Sequence, residues 1–209
     1  GVICEIMKDD GTMARLPDLV SFAQLHNLKI GTIADLIAYR RRNDRFLERR
    51  IDVPFKSDFG EGFRAIVFKN AIDGAEHMAL VHGKIHADEP VLMRVHRVDF
   101  MSDFLGETGN RSGLIKSAMQ AIAEADEAGV IVLVNTMRKD VLAESLGAVS
   151  SMPADPSAPL REYGVGAQIL KDLGVRKMIV LSTSKPTRLA GLDGYGLSVE
   201  GWRQLKKDN

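Results

Sequence analysis

Val130-Ile131-Val132-Leu133-Val134 and Met178-Ile179-Val180-Leu181 are the two stretches that decide the fold. Each is a short, uninterrupted apolar run, which is typical of a strand buried on both faces. Between them, one set of apolar residues recurs at helical spacing: Val165, Ile169, Leu170 and Leu173. Gly174 follows and is a helix stop. Strand, helix and strand in this order predict a parallel crossover, as in an α/β fold.

Earlier in the chain, the sequence predicts three more strands and a helix. Apolar residues alternate with polar or small ones in Phe63 to Val67, and short strand-like runs follow at His77 to Gly83 and Val91 to His96. Between Arg111 and Gly129 the apolar residues fall on one helical face. We interpret Gly129 as the stop of that helix.

The first forty residues have a different pattern. Gly1 to Met7 is interpreted as a buried strand, and Pro17 stands at the first position of a helix that ends near His26. Thr32 and Asp35 have the spacing of a capping box, which predicts a second helix to about Arg42. Because the chain begins inside a strand and without methionine, we expect it to be part of a longer protein.

Six arginines lie between Arg40 and Arg50, and Pro54 follows. We predict a domain boundary here, with residues 1–50 as one domain's tail plus a linker and residues 51–209 as a second domain. The basic run could also bind an anion, but a solvated helix end plus linker is the favoured explanation. Ser150 to Pro159 contains three prolines and is predicted to be an irregular loop.

The composition excludes several classes of function. Lysine and arginine together number 28 and so do aspartate and glutamate, so no net positive charge recruits nucleic acid or an anionic membrane. No apolar run reaches the roughly 18 residues of a membrane span, and we expect a cytoplasmic protein. Cys4 is the only cysteine, which excludes a disulfide framework and a multi-cysteine zinc site within these 209 residues.

Two groups of polar residues are candidates for anion binding. Leu181 to Arg188 brings hydroxyls and two cations directly after a buried strand, where ligands of α/β sheets bind, although the glycines of a P-loop are missing. Arg94 and His96 share one face of a predicted central strand. Arg94 could clamp a phosphate or could pair with a local carboxylate.

The metal and acid-base candidates are less specific. His82 and His86, with Asp88 and Glu89 close behind, would lie about 13 Å apart on a continuous strand, which is too far for one ion unless Gly83 turns the chain. A further group of carboxylates shows no spacing that selects a catalytic pair: Asp99, Asp103, Glu107 and Asp126.

The beginning of the chain resembles a known enzyme family. Gly1-Val2-Ile3-Cys4-Glu5-Ile6-Met7, continuing to Arg15, and Lys29 to Ile37 closely resemble the end of 3,4-dihydroxy-2-butanone 4-phosphate synthase. The resemblance implies that Glu5 lies in that enzyme's active site and touches the sugar phosphate. The family's magnesium-binding acidic loop would precede Gly1.

Residues from about 51 to 200 resemble GTP cyclohydrolase II, the usual fusion partner of that synthase. The resemblance rests on Arg94-Val95-His96, on Asp103 and Gly106 after it, and on Glu162 to Val175. It implies an α/β fold with a mixed sheet flanked by helices, preceded by a truncated synthase tail. It also implies roles for five residues: Arg161 as the nucleophilic arginine, Thr183 as a nucleotide contact, Arg188 as the phosphate-binding cation, and Arg94 with His96 beside the nucleotide.

The chain departs from the family pattern where the zinc would bind. Asp99, Asn110 and Ser112 stand at the positions of the three zinc cysteines, and Thr136 to Lys139 replaces the glutamine-glutamate-glycine-arginine segment. Pro159 aligns with the catalytic aspartate. We therefore predict no metal or cofactor for this portion, although the family uses zinc in the cyclohydrolase and magnesium in the synthase.

Three hypotheses on function remain open at this point, all within riboflavin biosynthesis. The first is a degenerate cyclohydrolase-like module that stabilises or regulates the synthase domain, with a homodimer expected. The second is an active hydrolase that opens the imidazole ring of GTP with a non-cysteine metal site. The third is a GTP sensor built from Arg94, Arg161, Thr183 and Arg188. The sequence leaves open whether this portion is an enzyme.

Overall fold

The structure is a computed structural model that describes residues 3–32, 35–36, 39, 44, 46–107, 112–135, 158–185 and 192–205. For residues 158–163 and 193 only the backbone is described. The chain divides into two compact units, Gly1–Asn43 and Asp44–Asn209. Within the described part of the chain, no helix is long and apolar enough to cross a membrane.

In the first unit the helix prediction is confirmed and the strand prediction is wrong. Helix α1 (Leu16–Leu25) has Pro17 in its first turn. Residues 3–6 form no regular structure, and Ile3 is 98% exposed. Met7 makes one isolated antiparallel bridge to Met13. A strand needs a hydrogen-bonded neighbour along its length, and this single bridge does not supply one.

The second predicted helix has the expected start. The Asp35 amide donates to Oγ1 of Thr32 at 3.0 Å, and Oγ1 of Thr32 donates to the Asp35 carboxylate at 2.7 Å. Asp35, Leu36 and Tyr39 are helical. The predicted end near Arg42 lies outside the described residues.

The second unit is an α/β domain built on one seven-stranded sheet with the strand order β1-β2-β3-β5-β4-β6-β7. Its strands are β1 (Leu47–Ser57), β2 (Gly60–Asn70), β3 (Glu76–His82), β4 (Pro90–Arg97), β5 (Gly129–Val134), β6 (Lys177–Ser182) and β7 (Ser198–Gln204). Its described helices are α2 (Phe100–Phe104), α3 (Leu114–Ala123) and α4 (Ala158–Asp172), with a 3-10 turn at Leu192–Tyr195.

The sheet is mixed, as expected. Strands β1, β2, β3 and β5 pair antiparallel, whereas β5, β4, β6 and β7 pair parallel. The parallel crossover from β5 through α4 to β6 is confirmed, with β4 inserted between its two strands. The carboxyl ends of β4, β5 and β6 therefore meet at one edge of the sheet. Because β3 runs antiparallel to β5, its first residues lie at the same edge.

The core has two layers, one on each face of the sheet. Val165, Ile169 and Leu170 of α4 pack on one cluster, and Ala118 with Ile122 of α3 belongs to the other. The helix α4 comes close to the sheet at Gly166, where an added Cβ would lie 3.1 Å from Val95. This layering follows from strands that are apolar on both faces.

Three boundary predictions are wrong. The linker expected up to Arg50 is strand from Leu47 onward, and Pro54 is tolerated because β1 is an edge strand. Gly129 does not stop a helix: α3 ends at Ala123, and Gly129 opens β5. Pro159 is helical, so the predicted loop ends earlier, and its residues 150–157 lie outside the described residues.

Candidate functional site

Arg94 lies where the parallel strands end. The backbone pairing between β4 and β6 ends at Met93–Val180. Beyond it, the Arg94 side chain links the two strands, because its Nη1 donates to the Leu181 carbonyl at 3.1 Å. Arg94 is half-buried. Its guanidinium therefore fixes the backbone of β6 two residues before Thr183, at the edge where α/β sheets bind ligands.

His96 lies on the same face of β4 and is completely buried. Its Nε2 is 3.0 and 2.9 Å from the two carboxylate oxygens of Asp103, and both side chains are at most 3% exposed. Its Nδ1 is 3.5 Å from Nη2 of Arg94. His96 thus connects Arg94 to Asp103, and a nucleotide could touch it only after this pair had opened.

Asp103 and Asp99 together shape the start of α2. The Asp103 carboxylate accepts from the Asp99 amide at 2.8 Å, and the Asp99 carboxylate accepts from the Ser102 amide at 2.9 Å. The second contact is an N-cap, which satisfies one of the free amides at a helix start. The carboxylate that we predict at the first cysteine position of the family pattern therefore caps a helix.

The described side chains at the positions predicted for the family's zinc cysteines offer neither a thiolate nor an imidazole. Asp99 offers a carboxylate that already caps α2, and Ser112, half-buried in the turn before α3, offers a neutral hydroxyl. Asn110 lies outside the described residues. The chain's single cysteine, Cys4, belongs to the first unit. Zinc in proteins is held by thiolate, imidazole and carboxylate, and within the described part no three such side chains are arranged so that they could hold a metal ion.

The remaining predicted site residues are less completely described. Thr183 is exposed in the bend after β6. Arg161 lies in the first half of α4, on which the structure describes the backbone alone. Arg188 lies outside the described residues, and Glu5 is exposed in the first unit. Arg94, His96 and Thr183 are therefore brought to one edge of the sheet, and their roles toward a nucleotide stay predictions.

His77 is a polar residue that sequence reasoning did not select. It is 4% exposed, and its Nδ1 accepts from the Asn135 amide at 3.2 Å just after β5 ends. Burial lowers the pKa of His77, and the Asp73 carboxylate opposes this shift more weakly. The signal in the sequence is a histidine at the start of an otherwise apolar strand, and that pattern alone does not tell which of its ring nitrogens is used.

The comparisons with known proteins agree with the resemblance drawn from the motifs. Residues 48–204 match the family model of GTP cyclohydrolase II, and residues 1–39 match that of 3,4-dihydroxy-2-butanone 4-phosphate synthase. A 3,4-dihydroxy-2-butanone 4-phosphate synthase of Pseudomonas aeruginosa is 42% identical over 202 residues, covering 95% of this chain and 54% of that protein. The riboflavin biosynthesis protein RibBA of Bacillus subtilis is 42% identical over 213 residues, covering 95% and 53%.

A solved structure is also similar. RibBX, a two-domain 3,4-dihydroxy-2-butanone 4-phosphate synthase from A. baumannii, matches with a TM-score of 0.60 and 35% identity over 98% of this chain and 53% of that one. The chain thus spans about half the length of these relatives. With three quarters of its residues matched by one family model, the chain belongs to the GTP cyclohydrolase II family and begins with a stretch that matches 3,4-dihydroxy-2-butanone 4-phosphate synthase.

Proposed function

We propose that this chain is the cyclohydrolase-like portion of a riboflavin-biosynthesis protein, and that it serves the attached synthase domain as a structural or regulatory module without zinc chemistry. The observation that carries the proposal is that the Asp99 side chain caps a helix. At the position of the first zinc cysteine, this carboxylate accepts from the Ser102 amide and caps α2. A group bound in this way contributes to folding rather than to a soft metal site.

The chemistry of the family's reaction supports the same proposal. A bound zinc ion lowers the pKa of its water to about 7 and so supplies hydroxide at neutral pH. None of the residues at the three cysteine positions is a thiolate or an imidazole. Arg161, the family's nucleophile position, cannot replace a lost metal hydroxide by itself. The expected consequence is a domain that no longer opens the imidazole ring of GTP.

The named relatives support the link to the synthase. The RibBX relative is described as a two-domain 3,4-dihydroxy-2-butanone 4-phosphate synthase, and the Pseudomonas relative carries the synthase name alone. We propose that the whole protein to which this chain belongs has the same organisation. In that protein Glu5 would complete the synthase active site, and the cyclohydrolase-like domains would associate as a homodimer in the cytoplasm.

GTP sensing is the regulatory form of this proposal. Arg94 holds the Leu181 carbonyl and so places the Thr183 hydroxyl at the carboxyl edge of the sheet. Arg161 and Arg188 would supply the cations for a triphosphate, since guanidinium groups bind phosphate through paired hydrogen bonds. His96 would contact the Arg94 guanidinium and hold it in place, and would not touch the nucleotide itself.

A second candidate is an active hydrolase with a non-cysteine metal. Asp99 and Asp103 place two carboxylates at the start of α2, and hard cations bind oxygen ligands of this kind. The backbone and His96 already use these oxygens, so the candidate requires the contacts around α2 to rearrange.

Formate release from GTP, measured together with metal content after zinc supplementation, separates the two candidates. We expect no formate and no stoichiometric metal from the chain. The matched variant carries Asp99→Cys, Asn110→Cys and Ser112→Cys and is expected to gain zinc. Formate release with stoichiometric metal from the unmodified chain would contradict the proposal of a zinc-free domain.

Titration of GTP by calorimetry tests the sensor. Arg161→Ala and Arg188→Ala are each expected to weaken binding by about tenfold or more, because each removes a charge-assisted contact. Lys84→Ala, an exposed cation in the loop after β3 at the opposite edge of the sheet, is the control and is expected to bind as the parent does. Equal affinities for all four proteins would refute the sensor.

A further inference from the structure

His77 lies at the edge of the sheet where β5 ends. It is the second residue of β3, next to the terminal pair of the β3–β5 ladder, Met78–Leu133. It faces the layer of α4 together with Ala79 and Val81, and it is 96% buried. A histidine in such a place is a buried polar group that the proposed cyclohydrolase-like site does not use.

The hydrogen bond to Asn135 determines the tautomer of the ring. A backbone amide can only donate, so Nδ1 of His77, 3.2 Å from the Asn135 nitrogen, must be unprotonated. A neutral imidazole then carries its proton on Nε2. Burial also lowers the pKa of this imidazole, which agrees with the neutral form.

The second ring nitrogen shows that the histidine is not there for packing. Nε2 of His77 is buried and has no hydrogen-bond partner among the described residues. A leucine or phenylalanine would fill this apolar layer without leaving a desolvated N–H group. The use of the imidazole must therefore lie in its Nδ1 contact.

Asn135 is the first residue after β5, where the chain leaves the sheet at its ligand-binding edge. A side chain from the neighbouring strand that holds this amide fixes the position of the Asn135 backbone. The ladder between β3 and β5 cannot do this, because its pairing ends at Met78–Leu133.

We propose that His77 is a positioning residue that acts through Nδ1: in its neutral, Nε2-protonated form it holds the Asn135 amide and so fixes the backbone at the carboxyl end of β5, the end of the sheet at which Arg94 and Thr183 also lie. The contact with Asn135 stands independently of that site. Only its effect on nucleotide affinity rests on the proposed function.

A pair of substitutions can distinguish the two nitrogens. The amide oxygen of an asparagine takes the place of Nδ1, whereas the amide nitrogen of a glutamine takes the place of Nε2. His77→Asn keeps an acceptor at the place of Nδ1 for Asn135, whereas His77→Gln puts a donor at the place of Nε2 and no acceptor at the place of Nδ1. His77→Leu removes both. His82→Asn changes a histidine of the same strand at the opposite edge of the sheet and is the matched control.

Amide hydrogen exchange at Asn135, read against the amide of Val132 in the centre of β5, is the measurement. In His77→Leu and His77→Gln we expect Asn135 to exchange about tenfold faster relative to Val132, as the loss of one hydrogen bond implies. In His77→Asn and His82→Asn the ratio should stay near that of the parent. A general loss of stability would accelerate both amides and leave the ratio unchanged.

Two outcomes would overturn the proposal. One is protection of Asn135 in His77→Gln equal to that in His77→Asn. The other is a ¹⁵N spectrum of the imidazole that shows the proton on Nδ1. GTP titration of the same variants adds a separate arm, in which affinity should fall in the glutamine and leucine variants alone. If the parent binds no GTP, the nucleotide proposal fails, whereas the exchange ratio still decides the role of His77.

Discussion

The buried pair of His96 and Asp103 combines two tasks in one carboxylate. Asp103 binds the imidazole through both oxygens and also accepts from the Asp99 amide. The imidazole in turn lies next to the Arg94 guanidinium. A substitution of Asp103 should therefore change both the free energy of unfolding and the position of Arg94 at the carboxyl ends of the parallel strands.

Asp103→Ala should lower the free energy of unfolding by about 3 kcal/mol, because it leaves a buried imidazole and a backbone amide without their acceptor. Urea denaturation followed by circular dichroism measures this. Asp126→Ala, at an exposed carboxylate, is the control and should change the value little. A loss below about 1 kcal/mol for Asp103→Ala would show that the pair contributes little to the fold.

His77 should make stability depend on pH in a window of its own. Its pKa in the folded protein is lowered from 6.5, so the folded state resists the proton that the unfolded state accepts. The contribution is fully present above about pH 6.5 and is lost as the pH falls through the lower, folded-state value. The pKa of Glu127 is lowered by the hydrogen bond from Arg203, and Glu127 titrates only below 4.5.

Urea denaturation of the parent and of His77→Asn at a series of pH values between 7 and 5 measures this effect. The parent should lose stability across the window, whereas the variant, which has no titratable group at this position, should lose less. Parallel curves for the two proteins would contradict the assignment of the slope to His77.

The contact between α3 and β5 depends on a glycine. A Cβ built at Gly129 would overlap the side chain of Ile122, so the helix lies against the first residue of the strand. Sequence reasoning placed this glycine at a helix end. Its actual role follows from packing between two elements, which neither element shows by itself.

Gly129→Ala should lower the free energy of unfolding by about 1–3 kcal/mol through overpacking. Combining it with Ile122→Ala, which removes the overlapping methyl groups, should cost less than the sum of the two single changes. Chemical denaturation of the four proteins in this cycle gives the coupling. Strict additivity would mean that α3 shifts away without strain.

Strand β1 shows why an edge element is hard to predict. It is exposed along almost its whole length and contains Pro54 and three of the chain's arginine and lysine residues, Arg49, Arg50 and Lys56. These features protect an edge strand from pairing with another chain, but they also hide the period-two pattern of a half-buried strand. The antiparallel ladder with β2, from Leu47 to Ser57, reveals the strand.

The two compact units differ in how they are stabilised. The second unit contains both core clusters, from Phe63 to Leu205, whereas the first has a single buried apolar residue among those described, Ala23. A unit with its own core is expected to fold by itself.

Residues 44–209 expressed alone should therefore unfold cooperatively. The chain's one tryptophan, Trp202, lies in β7 and reports on this unit through its fluorescence. A single urea transition seen by both fluorescence and circular dichroism is the expected result. A broad transition, or two probes that disagree, would show that the first unit is needed for the fold.

The sequence by itself determined the local parts of this protein. Apolar runs identified the central strands, helical spacing identified α3 and α4, and the motif around Glu162 to Val175 led to the GTP cyclohydrolase II family. The replacement of the zinc cysteines by Asp99, Asn110 and Ser112 is also a prediction from the sequence alone, because it compares residue types at fixed spacings.

Only the tertiary structure decided the strand order, with β4 between β5 and β6, and the contacts that this order creates. Arg94 reaches the Leu181 carbonyl and His77 reaches the Asn135 amide across 87 and 58 residues of sequence. Such contacts depend on which elements become neighbours in the folded sheet. Periodicity tells which face of a strand is buried, whereas the identity of the group across from it depends on packing among distant segments of the chain.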